Sequence, residues 1–325
     1  MKYLVTGCAG FVGSNLVDRL LMDGHKVIGI DNFSTGYKKN LLQAEKNLNF
    51  SLIEGDLYKL TDNKQSKLLL KTILKNVDTV YHFAANADIR GGVNNPRKDL
   101  EQNTIATFNL LEAMRMANVK KIIFASSAAV LGEPSLIPTP ENCAIPMQTS
   151  FYGASKMACE GLISAYCEAY NFKGYIFRFV SLLGPRYPHG HVIDFVKKLK
   201  NNPEQLLILG DGNQKKSYLH IEDCIDAVTL IDKINRKTIE NDHKKCEIYN
   251  LGNHEYCKVR DSAAWICEEL NLSPIFKYAG GRQGWIGDNP FVFLDIKKIS
   301  NTGWKPKYSI EKSIRDTASW LNKNI

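Results

Sequence analysis

The sequence predicts an α/β fold, a doubly wound parallel sheet joined to a smaller α/β region, on three observations. Short apolar runs alternate with longer helix-patterned stretches through the first half of the chain, the signature of β-α-β units. Three glycines, Gly7, Gly10 and Gly13, sit between the first apolar run and the first helical stretch. After residue 180 the alternation gives way to loops rich in Gly, Pro and His, as in LLGPRYPHGH. These features predict a Rossmann-type domain over residues 1–178 and a mainly substrate-facing region over 179–325. A segment near 219–251 is expected to return to the sheet.

Each element follows from its pattern. KYLVTG reads as the first strand, a helix is expected from about Ser14 to Asp23, and KVIGID reads as the second strand. Further along, TVYHFAA is a strand, Asn103 to Ala117 a helix, and KIIFASS the strand that follows it. GYIFRFV (174–180) closes the regular alternation, and CEIYNLG (246–252) reads as one more short strand. No repeat, low-complexity tract or flexible linker is visible.

Composition narrows the classes of partner. The chain has 325 residues, 44% hydrophobic and 23% charged, which suits one large or two interlocked domains. The formal charge of +8 is spread along the chain, and the cluster Lys197, Lys198, Lys200 has no interleaved aromatics. That favours an anionic small molecule and predicts no nucleic-acid partner. The eight cysteines show no C-x-x-C or zinc-like spacing and read as reduced thiols, so no metal is expected. Neither a signal-peptide pattern nor a run long enough to span a membrane appears, and a cytoplasmic location is expected. His189, His191 and His220 read as loop or core hydrogen-bonding groups, and Cys143 as packing.

The glycine turn predicts a dinucleotide site. Gly7, Gly10 and Gly13 permit a tight turn, a close backbone approach to a pyrophosphate and close helix–strand packing. The N-terminus of the helix favours the phosphates. Asp31 ends the second strand 18 residues after Gly13. A carboxylate there accepts both hydroxyls of the adenosine ribose and repels a 2′-phosphate, which points to NAD rather than NADP. Asp56 in EGDL falls near the end of the third strand, where an adenine contact and a simple turn residue are both open.

The catalytic candidates come from FASSAAVLG and FYGASKMACE. Tyr152 and Lys156 are four residues apart and share a helix face. A phenol is a poor base at neutral pH, but a neighbouring ammonium and a positive nicotinamide ring favour its ionised form. Ser127, at the C-terminal end of the preceding strand, lies where open α/β sheets bind ligands and is placed to hold the substrate oxygen.

The ordered set TGCAGFVGSN, DNFSTG, GDL, HFAA, FASSAAVLG and YGASK resembles the extended short-chain dehydrogenase/reductases, specifically the nucleotide-sugar epimerase/dehydratase family. The resemblance covers essentially the whole chain. It implies that Gly7, Phe11 and Val12 line the pyrophosphate, Asp31 and Asn32 the adenosine ribose, and Asp56 and Leu57 the adenine. Phe83, Ala84 and Ala85 would flank the middle of the cofactor with Asn103 behind them. Ser127, Tyr152 and Lys156 would form the catalytic triad, Lys156 also bonding the nicotinamide ribose. GDGNQKKSYLHIEDC, with Lys216 and Tyr218, resembles a substrate-binding segment of the family. The resemblance places Ser181, Arg186 and Arg282 among the substrate contacts too, and implies a homodimer through the helices around 103–117 and 152–170.

Departures from the family pattern narrow the chemistry. Dehydratases and decarboxylases of the family carry acids where this chain has Ala128 and Ala129, and a 4-keto sugar does not readily lose water without a second acid/base. Oxidation at C4 survives, followed by hydride return (4-epimerase) or by release of the ketone (4-dehydrogenase). Ser181 stands where asparagine is usual and Lys216 where arginine is usual, so a point charge replaces a bidentate fork and the nucleotide is left open between UDP and GDP. The chain is similar both to a capsule-associated subgroup labelled UDP-glucose 4-epimerase and to GDP-heptose 4-dehydrogenase. The alternative of another class is a non-catalytic NAD-binding regulator on the same fold, which the retained Tyr152 and Lys156 disfavour.

Overall fold

The computed structural model describes residues 1–59, 64–144, 147–237, 245–282, 284 and 289–325. Six strands, β1 (Lys2–Thr6), β2 (Lys26–Asp31), β3 (Phe50–Glu54), β4 (Thr79–His82), β5 (Lys121–Ser127) and β6 (Lys173–Phe179), join the strand Cys246–Leu251 in one seven-stranded sheet. Its order is Cys246–Leu251, β6, β5, β4, β1, β2, β3. The pairings from β3 through β2, β1 and β4 to β5 are all parallel. The strand order reverses direction beside β1, which places the loops after β1 and β4 at a topological switch point, where open α/β sheets bind ligands.

Burial explains the near-continuous apolar character of the central strands. Every residue of β4 is buried, and β1 is buried from Tyr3 to Thr6, as expected for a parallel sheet covered on both faces. Helix α1 (Phe11–Met22) buries Leu16, Val17, Leu20 and Leu21. It starts at Phe11, three residues before the sequence predicts, because Gly10 serves as its N-cap in an extended conformation without any capping side chain. Helices α2 (Lys64–Ile73) and α4 (Ala106–Met116) contribute Leu70, Ile73, Leu110, Leu111 and Met114 to one core cluster with Leu4, Val80, Ile122 and Phe124.

The helix expected from Asn103 is assembled from three pieces. The short α3 (Pro96–Asp99) begins on a proline, as first turns tolerate, then runs through a π-helical stretch Leu100–Ile105 into α4. Wide turns of this kind concentrate at functional sites, and this one carries Asn103. Helix α5 (Phe151–Tyr170) is capped by the Ser150 hydroxyl, which accepts from the Gly153 N–H at 3.0 Å, and ends on Asn171 in the left-handed region.

The chain divides into two compact units. The first comprises residues 1–130, 150–178 and 228–249; the second comprises 131–149, 179–227 and 250–325. The second unit packs the helices His191–Asn201, Val259–Glu269 and Ile310–Asn324 together, with Gln205–Ile208 paired in parallel with Ile275–Tyr278. Asp223 anchors it from a fully buried position: its carboxylate accepts from the Lys307 and Tyr308 N–H groups, and its carbonyl accepts from the Trp304 indole. All eight cysteines are free thiols. Among the described residues no helix is long and apolar enough to cross a membrane.

Candidate active site

The loop after β1 is built around Gly7. It sits at φ +68°, and a Cβ there would come within 2.7 Å of the Ala84 nitrogen and 2.9 Å of the Phe83 carbonyl carbon. A Cβ on Gly13 would run into the Gly7 carbonyl. The two glycines therefore keep a backbone cradle open at the N-terminus of α1, where the peptide dipoles favour phosphate. Phe11 and Val12 form the first turn of that helix. Gly7→Ala is expected to destabilise the fold by at least about 1 kcal/mol and to remove NAD binding, read as a lower Tm that added NAD no longer raises.

Opposite the cradle, the Thr6 hydroxyl accepts from both the Phe83 and Ala84 N–H groups at 3.2 Å. It reaches His82 Nδ1 at 2.7 Å, while His82 Nε2 lies 2.9 Å from the Thr107 hydroxyl. Thr107 gives its own proton to the Asn103 carbonyl, so His82 carries its proton on Nε2 and accepts from Thr6 on Nδ1. Burial holds the imidazole neutral, lowering it to about 3. Thr6 opens TGCAGFVGSN and His82 opens HFAA, but neither side chain is assigned a role by those motifs.

Asp31 ends β2 almost wholly buried, accepting from the Ala9 and Phe33 N–H groups at 2.8 Å. Burial raises its carboxyl and these backbone bonds pull it back. Asn32 Nδ2 donates to Gln102 Oε1, and Gln102 Nε2 donates to both oxygens of Asp56, at 3.3 and 3.1 Å. Gln102 thus ties the two candidate adenosine contacts together, a residue the motifs did not indicate. Leu57 is packed in the core cluster, and Ala85 lies half-buried in the loop after β4.

Ser127 ends β5; its hydroxyl accepts from the Ala129 N–H at 3.1 Å and lies near enough to the Tyr152 phenol to favour its ionised form. Tyr152 and Lys156 face the strand from the first turns of α5, both buried. Lys156 Nζ donates to the Ala125 carbonyl at 2.8 Å and lies 5.9 Å from the centre of the Tyr152 ring and 4.6 Å from that of Phe124. Burial lowers this ammonium to about 8 and raises the Tyr152 phenol to about 12. Lys156 Nζ is bound to a strand carbonyl, and at the phenol desolvation outweighs the favourable influence of the Ser127 hydroxyl. Asn103 is joined to the same helix, donating to the Ser155 hydroxyl at 2.8 Å, and Ser155 donates to the Tyr152 carbonyl at 2.8 Å.

The chain matches the NAD-dependent epimerase/dehydratase family over residues 3–252. It belongs to that family. NAD is accordingly its cofactor, and its class is that of nucleotide-sugar enzymes. A putative UDP-glucose 4-epimerase of Methanocaldococcus jannaschii is 33% identical over 327 residues, covering 99% of this chain and 98% of that one. Among solved structures, a UDP-galactose 4-epimerase superposes with a TM-score of 0.85 at 33% identity over the whole of both chains. A UDP-glucuronic acid 4-epimerase from Bacillus cereus, in complex with UDP-glucuronic acid and NAD, gives 0.86 at 26% identity, again over both chains in full.

Of the substrate candidates of the second unit, Ser181 and Tyr218 are brought together as neighbours on paired strands. Ser181 opens the short strand Ser181–Leu183, exposed, and pairs with Tyr218. Tyr218 itself is buried and stacked on His191, ring centres 5.0 Å apart. Arg186 is half-buried with φ +72°, in the left-handed region. Lys216 donates to the Asn289 carbonyl, and the exposed Arg282 lies 3.7 Å from Glu133. The rest of the GGRQGWIGD segment, Gln283 and residues 285–288, lies outside the described residues.

Proposed function

We propose that this protein is a nucleotide-sugar 4-epimerase, oxidising C4 of a sugar carried on a nucleoside diphosphate and reducing the ketone again. The observation that carries it is the placement of Ser127 at the end of β5 with Tyr152 and Lys156 on the first turns of α5, Lys156 Nζ 5.9 Å from the Tyr152 ring centre, followed directly by the turn Ala128–Leu131, whose Ala128 and Ala129 side chains have no proton to give. In this reading Tyr152 takes the proton of the C4 hydroxyl, Ser127 holds that oxygen, and the Lys156 charge favours the phenolate. When bound, NAD supplies the nicotinamide that accepts the hydride and returns it.

Gly7, Gly10, Phe11, Val12 and Gly13 would hold the pyrophosphate, Asp31 and Asn32 the adenosine ribose, Asp56 and Leu57 the adenine, and Phe83, Ala84, Ala85 and Asn103 the remainder. Ser181, Arg186, Lys216, Tyr218 and Arg282 are proposed for the nucleotide-sugar. The relatives and neighbours named above are 4-epimerases, which favours hydride return over ketone release and UDP over GDP. A role in polysaccharide or capsule sugar synthesis and a homodimer through α4 and α5 complete the proposal; Phe108 and Tyr170, large and exposed on those helices, are suited to such an interface.

The test is the protein mixed with NAD and, in turn, UDP-glucose, UDP-GlcNAc, GDP-mannose and GDP-manno-heptose, followed by absorbance of the reduced nicotinamide and by product analysis. Recovery of a C4-inverted sugar with no lasting absorbance rise is the expected result. A lasting rise with one donor would make the protein a 4-dehydrogenase for that sugar. Neither signal with any donor would favour a non-catalytic NAD-binding protein.

A further inference from the structure

Asp99, the last residue of α3, and Asn86, in the loop after β4, are only 1% and 4% exposed. Asn86 Nδ2 donates to Asp99 Oδ1 at 2.8 Å. The remaining oxygen of each side chain, Asp99 Oδ2 and Asn86 Oδ1, is buried with no hydrogen-bond partner. Buried acceptors left without donors are costly, and an ionised carboxylate with a bare oxygen is costlier than an amide. A Cβ on Gly92 would come within 2.6 Å of Asp99 Oδ2, so glycine backbone presses against that oxygen.

One proton resolves both orphans. On Asp99 Oδ2 it makes the carboxyl a donor to Asn86 Oδ1, while Asn86 Nδ2 continues to donate to Asp99 Oδ1. The two side chains then form a closed acid–amide pair in which each gives one hydrogen bond and accepts one. We infer that Asp99 is a neutral carboxylic acid at neutral pH, paired in this way with Asn86, and acts as a positioning residue for the catalytic end of α5. The link to α5 is continuous: the Asn86 N–H donates to Asn103 Oδ1 at 2.8 Å, Asn103 donates to Ser155, and Ser155 donates to the Tyr152 carbonyl.

The charged and titratable groups around Asp99 are Asp88 in the preceding loop, Lys98 on its own helix, and Tyr152 and Lys156 on α5. Burial is the largest influence on the carboxyl and raises it. The Asn86 bond lowers it, Asp88 raises it, and the two lysines lower it. An ionised Asp99 raises the Tyr152 phenol, so a neutral Asp99 spares that phenol a repulsive charge. This consequence rests on Tyr152 being the base; the protonation of Asp99 does not.

Infrared difference spectra of the NAD-bound protein at neutral pH, wild type minus Asp99→Asn, test the proton directly. The expected result is the carbonyl band of a protonated carboxyl group, and its absence overturns the inference whatever the enzyme turns over. Kinetics supply the second arm. Asp99→Ala leaves the Asn86 amide buried without its partner and is expected to lose about tenfold or more in kcat, which Asp99→Asn, able to form the equivalent amide–amide pair, recovers. The wild type should lose rate at alkaline pH, as Asp99 ionises, through a limb that Asp99→Asn lacks. Equal losses in Asp99→Asn and Asp99→Ala, both folded by circular dichroism, would show that the charge is needed and overturn the inference.

Discussion

Tyr152→Phe is expected to lower kcat by about 10³-fold while NAD still binds. The ring of Tyr152 is buried against β5, and phenylalanine keeps that packing while removing the one atom proposed to take the C4 proton. Burial sets the starting point: in the protein alone the phenol is raised to about 12, so at neutral pH it is almost wholly protonated. A phenol acting as base must lose that proton, so kcat rises with pH until the phenol of the working complex is ionised. Lys156→Met removes a positive charge near the ring and must move this acid limb to higher pH, because the phenolate loses a favourable neighbour. The measurement is kcat against pH for wild type, Tyr152→Phe and Lys156→Met. Unchanged turnover in Tyr152→Phe would remove the mechanism. A limb that moves down in Lys156→Met would reverse the role given to the lysine.

What the sequence makes legible here follows from local causes. Gly7 and Gly13 are readable because a crowded turn tolerates no other residue, and the contacts a Cβ would meet there are with backbone. Tyr152, Lys156 and Ser127 are readable because one helix face and one strand end bring them together. The elements of the sheet are visible for the same kind of reason, since parallel strands covered on both faces are largely apolar. The start of α1 is hidden because Gly10 caps without a side chain, and the π-helical stretch around Asn103 leaves no periodicity that separates it from an ordinary helix. Long-range polar partners are hidden more deeply. His82 with Thr6 and Thr107, and Gln102 with Asp56, span sequence separations that no local pattern encodes. The setting of Lys156 is hidden for the same reason. Spacing gives the shared face, but the Ala125 carbonyl that draws the ammonium comes from another element.

The largest expected loss of stability belongs to Glu160, one helical turn beyond Lys156. Its carboxylate accepts from Arg178 Nε at 3.0 Å and Nη2 at 2.8 Å, and from the Ser126 hydroxyl at 2.6 Å. The arginine and glutamate side chains are only 2% and 5% exposed. Three elements therefore meet on one carboxylate: β5 through Ser126, β6 through Arg178 and α5 through Glu160 itself. Glu160→Ala takes the counter-charge away from a guanidinium deep in the first unit and is expected to cost about 3–5 kcal/mol, since a buried charge whose partner is deleted keeps its full desolvation penalty. Replacing both by methionine should recover much of that loss, because a well-packed apolar pair of similar volume removes both charges from the interior. Denaturant unfolding of Glu160→Met, Arg178→Met and the double variant measures the coupling directly. A double variant no more stable than Glu160→Ala would show that the loss comes from the Ser126 bond and packing, not from the stranded charge. The same variants connect the fold to the chemistry, since Ser126 precedes Ser127 on β5. A double methionine variant that refolds but turns over slowly would mean that the carboxylate's bond to Ser126 also holds the proposed substrate-binding Ser127 in register with Tyr152.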